Sequence, residues 1–464
     1  MNETICALAT APGGALGIIR VSGQQAFDAV NQITDKDINK FSPNSAHFVR
    51  LVDENAHFSD SCSAPDGMLP HQATIDEAML TVFHAPHSYT GEDSVEISCH
   101  GSRYILNKVL ELLVQNGCRM ANPGEFTQRA YLNGKLDLSQ AEAVADLIAS
   151  SNQATHRLAM SQLRGSISNE LALLREQLLH LTSLMELELD FSDHEDLEFA
   201  DRDELDSLAN KIDNHIKHLT HSFEAGQAIK QGIPVAIIGK TNVGKSTLLN
   251  RLLKDDRAIV SDIHGTTRDT IEDTIDIQGL TFRFIDTAGI RQTTDEVEQI
   301  GIERTFAAID KARIVLWVID SEPSLKEFDE IKELIENKKL IITKNKIDKN
   351  DFTPLRTVNF PLIAISAKQG INISQLEQAI FDAADIPTLS DTDVIITNAR
   401  HYDALVRARQ SLSRVLDGLR SGLSGDLLSE DLRDVLSILS EITGGQITTP
   451  EVLGNIFKDF CVGK

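Results

Sequence analysis

Eight consecutive residues have the types and spacing to hold a polyphosphate: Gly239-Lys240-Thr241-Asn242-Val243-Gly244-Lys245-Ser246. The two glycines let backbone N–H groups curl around phosphate oxygens, and the positive end of a following helix favours the anion. Lys245 has the reach to touch the β- and γ-phosphates, and Ser246 carries a hydroxyl that can ligate Mg²⁺. Four short groups follow. Gly265-Thr266-Thr267-Arg268-Asp269 supplies hydroxyls, with Thr267 the candidate to complete the Mg²⁺ shell. Asp286-Thr287-Ala288-Gly289 supplies a carboxylate that can act on Mg²⁺ through water and a Gly289 N–H for a γ-phosphate. Asn345-Lys346-Ile347-Asp348 supplies a carboxylate that can accept from both the ring N–H and the amino group of guanine. Adenine has no such amino group and would leave Asp348 unpaired, which is costly. Ser366-Ala367-Lys368 can support the base through backbone N–H. Each group is weak alone; in this order around one phosphate loop they specify a GTPase over an ATPase.

One position departs from the Ras-like pattern. A glutamine directly after Asp-x-x-Gly orients the attacking water there, whereas this chain has Ile290. The acid-rich segment that follows offers Glu298, which either orients water or, on its local pattern alone, is a solvated helix residue.

These groups need a framework that sets them at strand ends. Apolar strand-like runs at 234–238, 280–285, 314–319, 339–343 and 361–365 alternate with helical patterns, which predicts a doubly wound, mainly parallel sheet. In such a sheet the ligand lies outside the carboxyl ends of the strands, where the motifs fall. Residues 1 to about 130 mix short strands and helices: 76–83 and 94–99 alternate like strands, and 104–114 has a helical period. Helical patterns then occupy 138–149, with Asp137 or Ser139 as cap, 167–191 and 205–224. They resume near Thr397 and run through 404–419 and 427–442. Helices on both sides of an α/β unit predict an inserted domain.

Composition bounds the rest. A chain of 464 residues suggests about three domains. No apolar run is long enough to span a bilayer, and Met1 to Ala11 lacks a basic region followed by an apolar one, so a cytoplasmic protein is expected. The five cysteines (Cys6, Cys62, Cys99, Cys118, Cys461) are odd in number and show no paired metal-ligand spacing, which suits free thiols. A formal net charge of −25 makes a poor general nucleic-acid binder. Arg400, Arg407 and Arg414 recur every seven residues, with Arg409 and Arg420 nearby. This basic stripe either pairs with the acidic 186–206 region or meets the phosphates of an RNA.

Taken together, the phosphate loop, Gly-Thr-Thr-Arg-Asp at 265–269, Asp-Thr-Ala-Gly-Ile-Arg at 286–291 and the terminal Cys461-Val462-Gly463-Lys464 resemble the MnmE (TrmE) family of tRNA-modification GTPases. Pro-Gly-Glu-Phe-Thr-Gln-Arg-Ala at 123–130 and Asn-Gly-Lys-Leu-Asp-Leu-Ser-Gln-Ala-Glu-Ala at 133–143 extend the resemblance, which covers the whole chain. It implies an N-terminal α+β folate-binding and dimerising domain (1–122), a helical domain in two parts (123–228 and 389–464), and an inserted α/β P-loop G domain (229–388). It also implies a homodimer that acts with a flavin-dependent MnmG-type partner, as a heterotetramer, on tRNA. The product would be an aminomethyl-type group, carboxymethylaminomethyl, at position 5 of the wobble uridine. A 5-formyl- or methylene-tetrahydrofolate would be the one-carbon carrier, held by Arg20, Glu96, Lys135 and Lys464. The GTP-binding set extends to Thr247, Ser261, Asp262, Ile263 and His264. A K⁺ ion would be shared by Asn242, Ser261, Ile263 and Thr266, and Glu298 would match the family's water-orienting glutamate. Lys245, Glu298 and Cys461 would be the catalytic groups. Val462 stands where the family usually has isoleucine or leucine, and the loop at 12–15 departs slightly. A ribosome-assembly switch with the same G domain is the alternative; it would not need a folate region or a tail cysteine.

Overall fold

The computed structural model describes residues 3–53, 73–190, 202–255, 273–285, 308–335, 338–349, 360–386, 394–445, 450–458 and 460–463. The chain forms two compact units: Met1–Ile148 with Gln162–Leu179 and Leu432–Lys464, and Ala149–Ser161 with His180–Asp431.

The first unit begins with a sheet. Strands β1 (Ile5–Leu8), β2 (Leu16–Ser22), β3 (Ser45–Asp53), β4 (Ala73–Phe83), β5 (Ser94–His100) and β6 (Arg119–Met120) order as β3-β4-β5-β2-β1-β6. Pairings are antiparallel except β1 with β6. Alternate residues of these strands face one core, where Ile19, Val21, Leu80, Val82, Val95 and Ile97 are fully buried. Helices α1 (Ala26–Asn31) and α2 (Arg103–Gln115) cover that face with Ala29, Val30, Leu106, Val109 and Leu113. Helices α3 (Glu125–Leu132) and α4 (Leu138–Ala149) follow. Asp137 caps α4 by accepting the Gln140 N–H at 2.9 Å, and it also accepts the Ser139 hydroxyl at 2.7 Å.

Helix α5 (Gln153–Leu163) starts in the second unit and ends in the first; α6 (Ser166–Asp190) also crosses between them. Helix α7 (Arg202–Gln231) extends beyond the end at 224 that the pattern predicts. Ile229 prolongs the buried stripe, so the helix stops only at Gly232, where φ is +83°. β7 (Ile233–Ile238) begins at the next residue.

The predicted parallel sheet is present. β7, β8 (Asp273–Ile277), β9 (Leu280–Ile285), β10 (Ile314–Ile319), β11 (Lys339–Lys344) and β12 (Leu362–Ala364) order as β12-β11-β10-β7-β9-β8. Only β8, an edge strand absent from the sequence reading, runs antiparallel, to β9. All six residues of β10 are buried: Ile314, Leu316 and Val318 join one core, Val315, Trp317 and Ile319 the other. Burial on both faces explains a continuous apolar run without alternation. Helices α8 (Lys245–Asp255), α9 (Leu325–Leu334) and α10 (Ile373–Ala383) belong to this α/β unit.

The chain then returns through α11 (Ala399–Ser421), α12 (Gly425–Thr443) and α13 (Pro450–Phe457). α11 packs along α7, with Phe223 and Tyr402 stacked at 4.3 Å. The inserted segment leaves and rejoins the helices at one place. The Gln227 side chain donates to the Thr397 carbonyl at 2.7 Å, and the Ile396 N–H donates to the Ser222 hydroxyl at 3.0 Å. A Cβ at Gly226 would overlap the Ile396 carbonyl, so glycine is required where the returning segment passes the helix. The architecture is therefore an N-terminal α+β domain, a helical framework and an inserted α/β P-loop domain.

Candidate functional site

The phosphate loop is set by three left-handed positions. Gly239, Asn242 and Gly244 have φ of +143°, +62° and +101°. Only glycine fits at the first and last: a Cβ on Gly239 would strike the Val318 carbonyl, and one on Gly244 the Asn345 side chain. Asn242 is a residue type that tolerates this region. Helix α8 starts directly behind, with the Leu248 N–H donating to the Gly244 carbonyl at 2.9 Å. Its first turn leaves N–H groups directed at the loop, beside Ser246 and Thr247. Lys245 folds over the loop, donating to the Gly239 and Lys240 carbonyls at 2.5 and 2.8 Å. Burial lowers its ammonium below the usual lysine value, as expected where a phosphate would restore the charge balance.

Strand ends bring the base-reading motif to this loop. Asn345 follows β11 and is buried. Its Nδ2 donates to the Val243 carbonyl at 2.8 Å, and its Oδ1 accepts the Ala367 N–H at 3.0 Å. One side chain thus fastens the phosphate loop to the Ser366-Ala367-Lys368 loop. Lys346, at φ +64°, donates to the Asn242 carbonyl at 2.6 Å and pairs with Asp320 at 2.8 Å. That hydrogen bond from Lys346 holds the Asp320 carboxyl below the ordinary range. Asp348 is exposed and accepts the Ser366 hydroxyl at 2.7 Å, which holds its own carboxyl below the usual value. An ionised, pre-aimed carboxylate beside a buried loop suits a guanine edge. Asp320 escaped the sequence reading, although its place at the carboxyl end of β10 was the available signal.

A second cluster lies in the first unit. Arg20 on β2 faces Glu96 on β5 in register. Its Nε and Nη2 donate to Glu96 Oε1 at 2.9 and 2.7 Å, and its Nη1 donates to the Gly463 carbonyl at 3.3 Å. Its guanidinium lies over the Tyr89 and Phe126 rings, 5.5 and 5.7 Å from their centroids. The two rings and the tail carbonyl were not anticipated. Lys135 donates to the Pro86 carbonyl at 3.1 Å, and its side chain runs beside Gly91. The tail is fastened by backbone: the Cys461 carbonyl accepts the Gly124 N–H at 3.3 Å. At Gly463, φ is +91°, and a Cβ there would overlap the Leu8 carbonyl. The Cys461 thiol is free and exposed, whereas burial pushes the Cys99 thiol up to about 11.

Ser261, Asp262, Ile263, His264, Gly265, Thr266, Thr267, Asp286, Thr287, Ala288, Gly289, Glu298 and Lys464 lie outside the described residues. Among the described residues no group of three or more His, Cys, Asp or Glu side chains could hold a metal, and no helix is long and apolar enough to cross a membrane. Four arginines of the basic stripe form ion pairs within the chain. Arg409 meets Asp213, Arg420 meets Asp206, Arg407 meets Asp403 and Arg414 meets Asp431. Of these four partners, Asp206 belongs to the acidic region named above, most of which (191–201) lies outside the described residues.

Comparison with known proteins bears on the same segments. The family profile of the GTP-binding protein TrmE N-terminus matches residues 4–135, and that of the MnmE helical domain matches 138–461. The chain belongs to the MnmE (TrmE) family. A tRNA modification GTPase MnmE from Phocaeicola vulgatus is 54% identical over 100% of this chain and 99% of its own. That from Parabacteroides distasonis is 54% identical over 100% of both chains. That from Flavobacterium johnsoniae is 48% identical over 100% and 99%. Among solved structures, the G domain of the T. maritima FeoB iron transporter aligns with 33% of this chain and 99% of its own, at 24% identity and a TM-score of 0.26.

Proposed function

We propose that this member of the MnmE family uses GTP hydrolysis to build an aminomethyl-type group, carboxymethylaminomethyl, at position 5 of the wobble uridine of certain tRNAs. That it is a GTP-binding GTPase of tRNA modification follows from its family, whose curated members carry that name over the full chain length. The observation that supports the nucleotide half is the Asn345 link between the phosphate loop and the loop at Ser366, with Asp348 aimed beside it.

Each residue has a role in this reading. Loop N–H groups and Lys245 bind the β- and γ-phosphates. Asp348 selects guanine, and Asn345 and Lys346 position the two loops that enclose it. Ser246 and Thr267 would hold Mg²⁺, whose charge offsets that of the phosphates. Asn242, Ser261, Ile263 and Thr266 would hold K⁺, with Asn242 preset at the loop's exposed turn. Glu298 orients water in place of the absent glutamine at Ile290. Arg20, Glu96, Lys135 and Lys464 would hold a folate one-carbon carrier. Arginine and lysine suit its carboxylates, and a carboxylate suits the pterin edge. Cys461 lies on the same docked tail and serves the modification or its geometry. The proposed domains are 1–122, 123–228, 229–388 and 389–464. The working assembly is a homodimer joined to a flavin-dependent MnmG-type protein.

The test is nucleoside analysis of tRNA from cells lacking this chain. Wobble uridines should lose the modification and regain it on complementation. Unchanged wobble uridines would remove the modification role and leave the ribosome-assembly switch.

A further inference from the structure

Strands β8 and β9 form a hairpin that joins two nucleotide motifs along the chain. Gly265–Asp269 ends shortly before β8, and Asp286 is the residue directly after β9. The turn, Gln278-Gly279, has positive φ at both residues, +52° and +82°, the geometry of a tight two-residue hairpin. This tip rests on the start of α5. The Ala154 N–H donates to the Gly279 carbonyl at 3.1 Å, and a Cβ on Gly279 would press on Gln153. Ala154 is buried in the same core as Ile275, Leu280 and Phe282, and Leu158, one turn on, packs against it.

Asn152 ties the two elements with polar contacts. Its Oδ1 accepts the Thr155 N–H at 2.8 Å and so caps α5. Its Nδ2 donates to the Thr281 hydroxyl on β9 at 2.7 Å. Thr281 in turn donates to Asp276 on β8, its register partner, at 2.7 Å. The hydroxyl's proton and an acceptor site are both engaged, so the chain Asn152 to Thr281 to Asp276 has one direction. The residue that starts α5 is therefore hydrogen-bonded to both hairpin strands through one threonine.

GTPase motifs at such places change when the γ-phosphate is lost. A hairpin joined to one at each end shares that change, and here its tip and one strand are bound to the first turn of a helix. We propose that Asn152 and Thr281 are positioning residues that couple the nucleotide state, through the β8–β9 hairpin, to helix α5. This rests on the functional reading above and adds how hydrolysis reaches the helical framework. Neither residue belongs to the nucleotide-contacting set.

Thr281→Val tests this without disturbing the Asn152 cap, since it removes only the hydroxyl; the partner lost by Asp276 is replaced by water because that carboxylate is exposed. Purified full-length variants are compared by hydrogen exchange with GDP and with a non-hydrolysable GTP analogue. In the wild type, exchange along α5 should differ between the two nucleotides. In Thr281→Val the difference should shrink by at least about half, the contacts of Ala154 carrying the remainder, and Thr281→Ser should restore it. GTP hydrolysis should stay within about twofold of wild type while wobble-uridine modification falls about fivefold, an effect of the size seen along coupled residues. An α5 that ignores the nucleotide in the wild type, or responds in Thr281→Val as fully as in the wild type, overturns the proposal. Absence of hydrolysis or modification in the wild type would instead strike the functional reading, and the exchange comparison decides the coupling in either case.

Discussion

Asn345 reaches across from the end of β11 to donate a 2.8 Å hydrogen bond to the carbonyl of Val243 in the phosphate loop. Both residues are buried, and the same side chain accepts the Ala367 N–H. Asn345→Ala would strand a buried carbonyl and a buried N–H at once. Each unmet group costs about 1–3 kcal/mol, so guanine-nucleotide affinity should fall at least about tenfold. Titration with a fluorescent GDP analogue measures this; an unchanged affinity would show that the two loops hold together without the link.

The ion dependence follows from Asn242 and Ile290. GTP hydrolysis should be faster in K⁺ than in Na⁺ at matched ionic strength. Asn242→Ala should lower the K⁺-supported rate about tenfold or more, less than the loss of a fixed donor because water can partly replace it. Nucleotide binding through Lys245 should persist. Equal rates in the two salts would remove K⁺ from the reading.

Glu125 gives the first unit its acid sensitivity. It is 3% exposed and holds Arg119 at 2.7 Å and Arg129 at 3.0 Å. Burial alone would raise its carboxyl, but hydrogen bonds from Arg119, the Asn122 N–H and Arg129 outweigh it, so the value is lowered. A lowered value contributes stability above the ordinary carboxylate range, and that stability is lost as pH falls through the folded value. Glu125→Gln should therefore cost about 1–3 kcal/mol at neutral pH, since it weakens charge-assisted hydrogen bonds from the buried Arg129, which keeps Glu92, and from Arg119, which keeps Glu3. The gap from wild type should narrow in acid. Urea unfolding of both proteins at neutral and acid pH checks this; a gap independent of pH would mean that Glu125 acts by packing.

The strands inside the α/β unit were legible because both faces of β7 and β10 are covered, leaving short apolar runs cut off by Gly239 and Asp320. Other features were hidden. The helical pattern ends at 224 in the sequence, yet Gly226 lies inside α7 and marks where the segment at Ile395–Ile396 passes close by. α5 has no long apolar stripe, because its first turn is held by β9 and not by periodicity. Asp348 was readable from its motif, whereas Asp320, Tyr89 and the Gly463 carbonyl acquire partners only when distant segments meet.

The docked tail separates two activities. Cys461→Ser should leave GTP hydrolysis intact and sharply reduce wobble-uridine modification, because the thiol lies on the tail that meets Arg20, away from the phosphate loop in sequence. Gly463→Ala should act in the same direction by forcing the tail off the Leu8 carbonyl. Modification at the wild-type rate in Cys461→Ser would leave the cysteine as an incidental surface thiol.

Between Gln227 and Thr397 the chain makes a long excursion and comes back to within one hydrogen bond of where it departed. The two ends are so near that about three residues would bridge them. The helices on either side therefore do not depend on the excursion to find their register. A lineage could have acquired this nucleotide-hydrolysing module in a single splice, with the host's adjustment confined to local contacts such as those of Ala154 and Leu158 on α5.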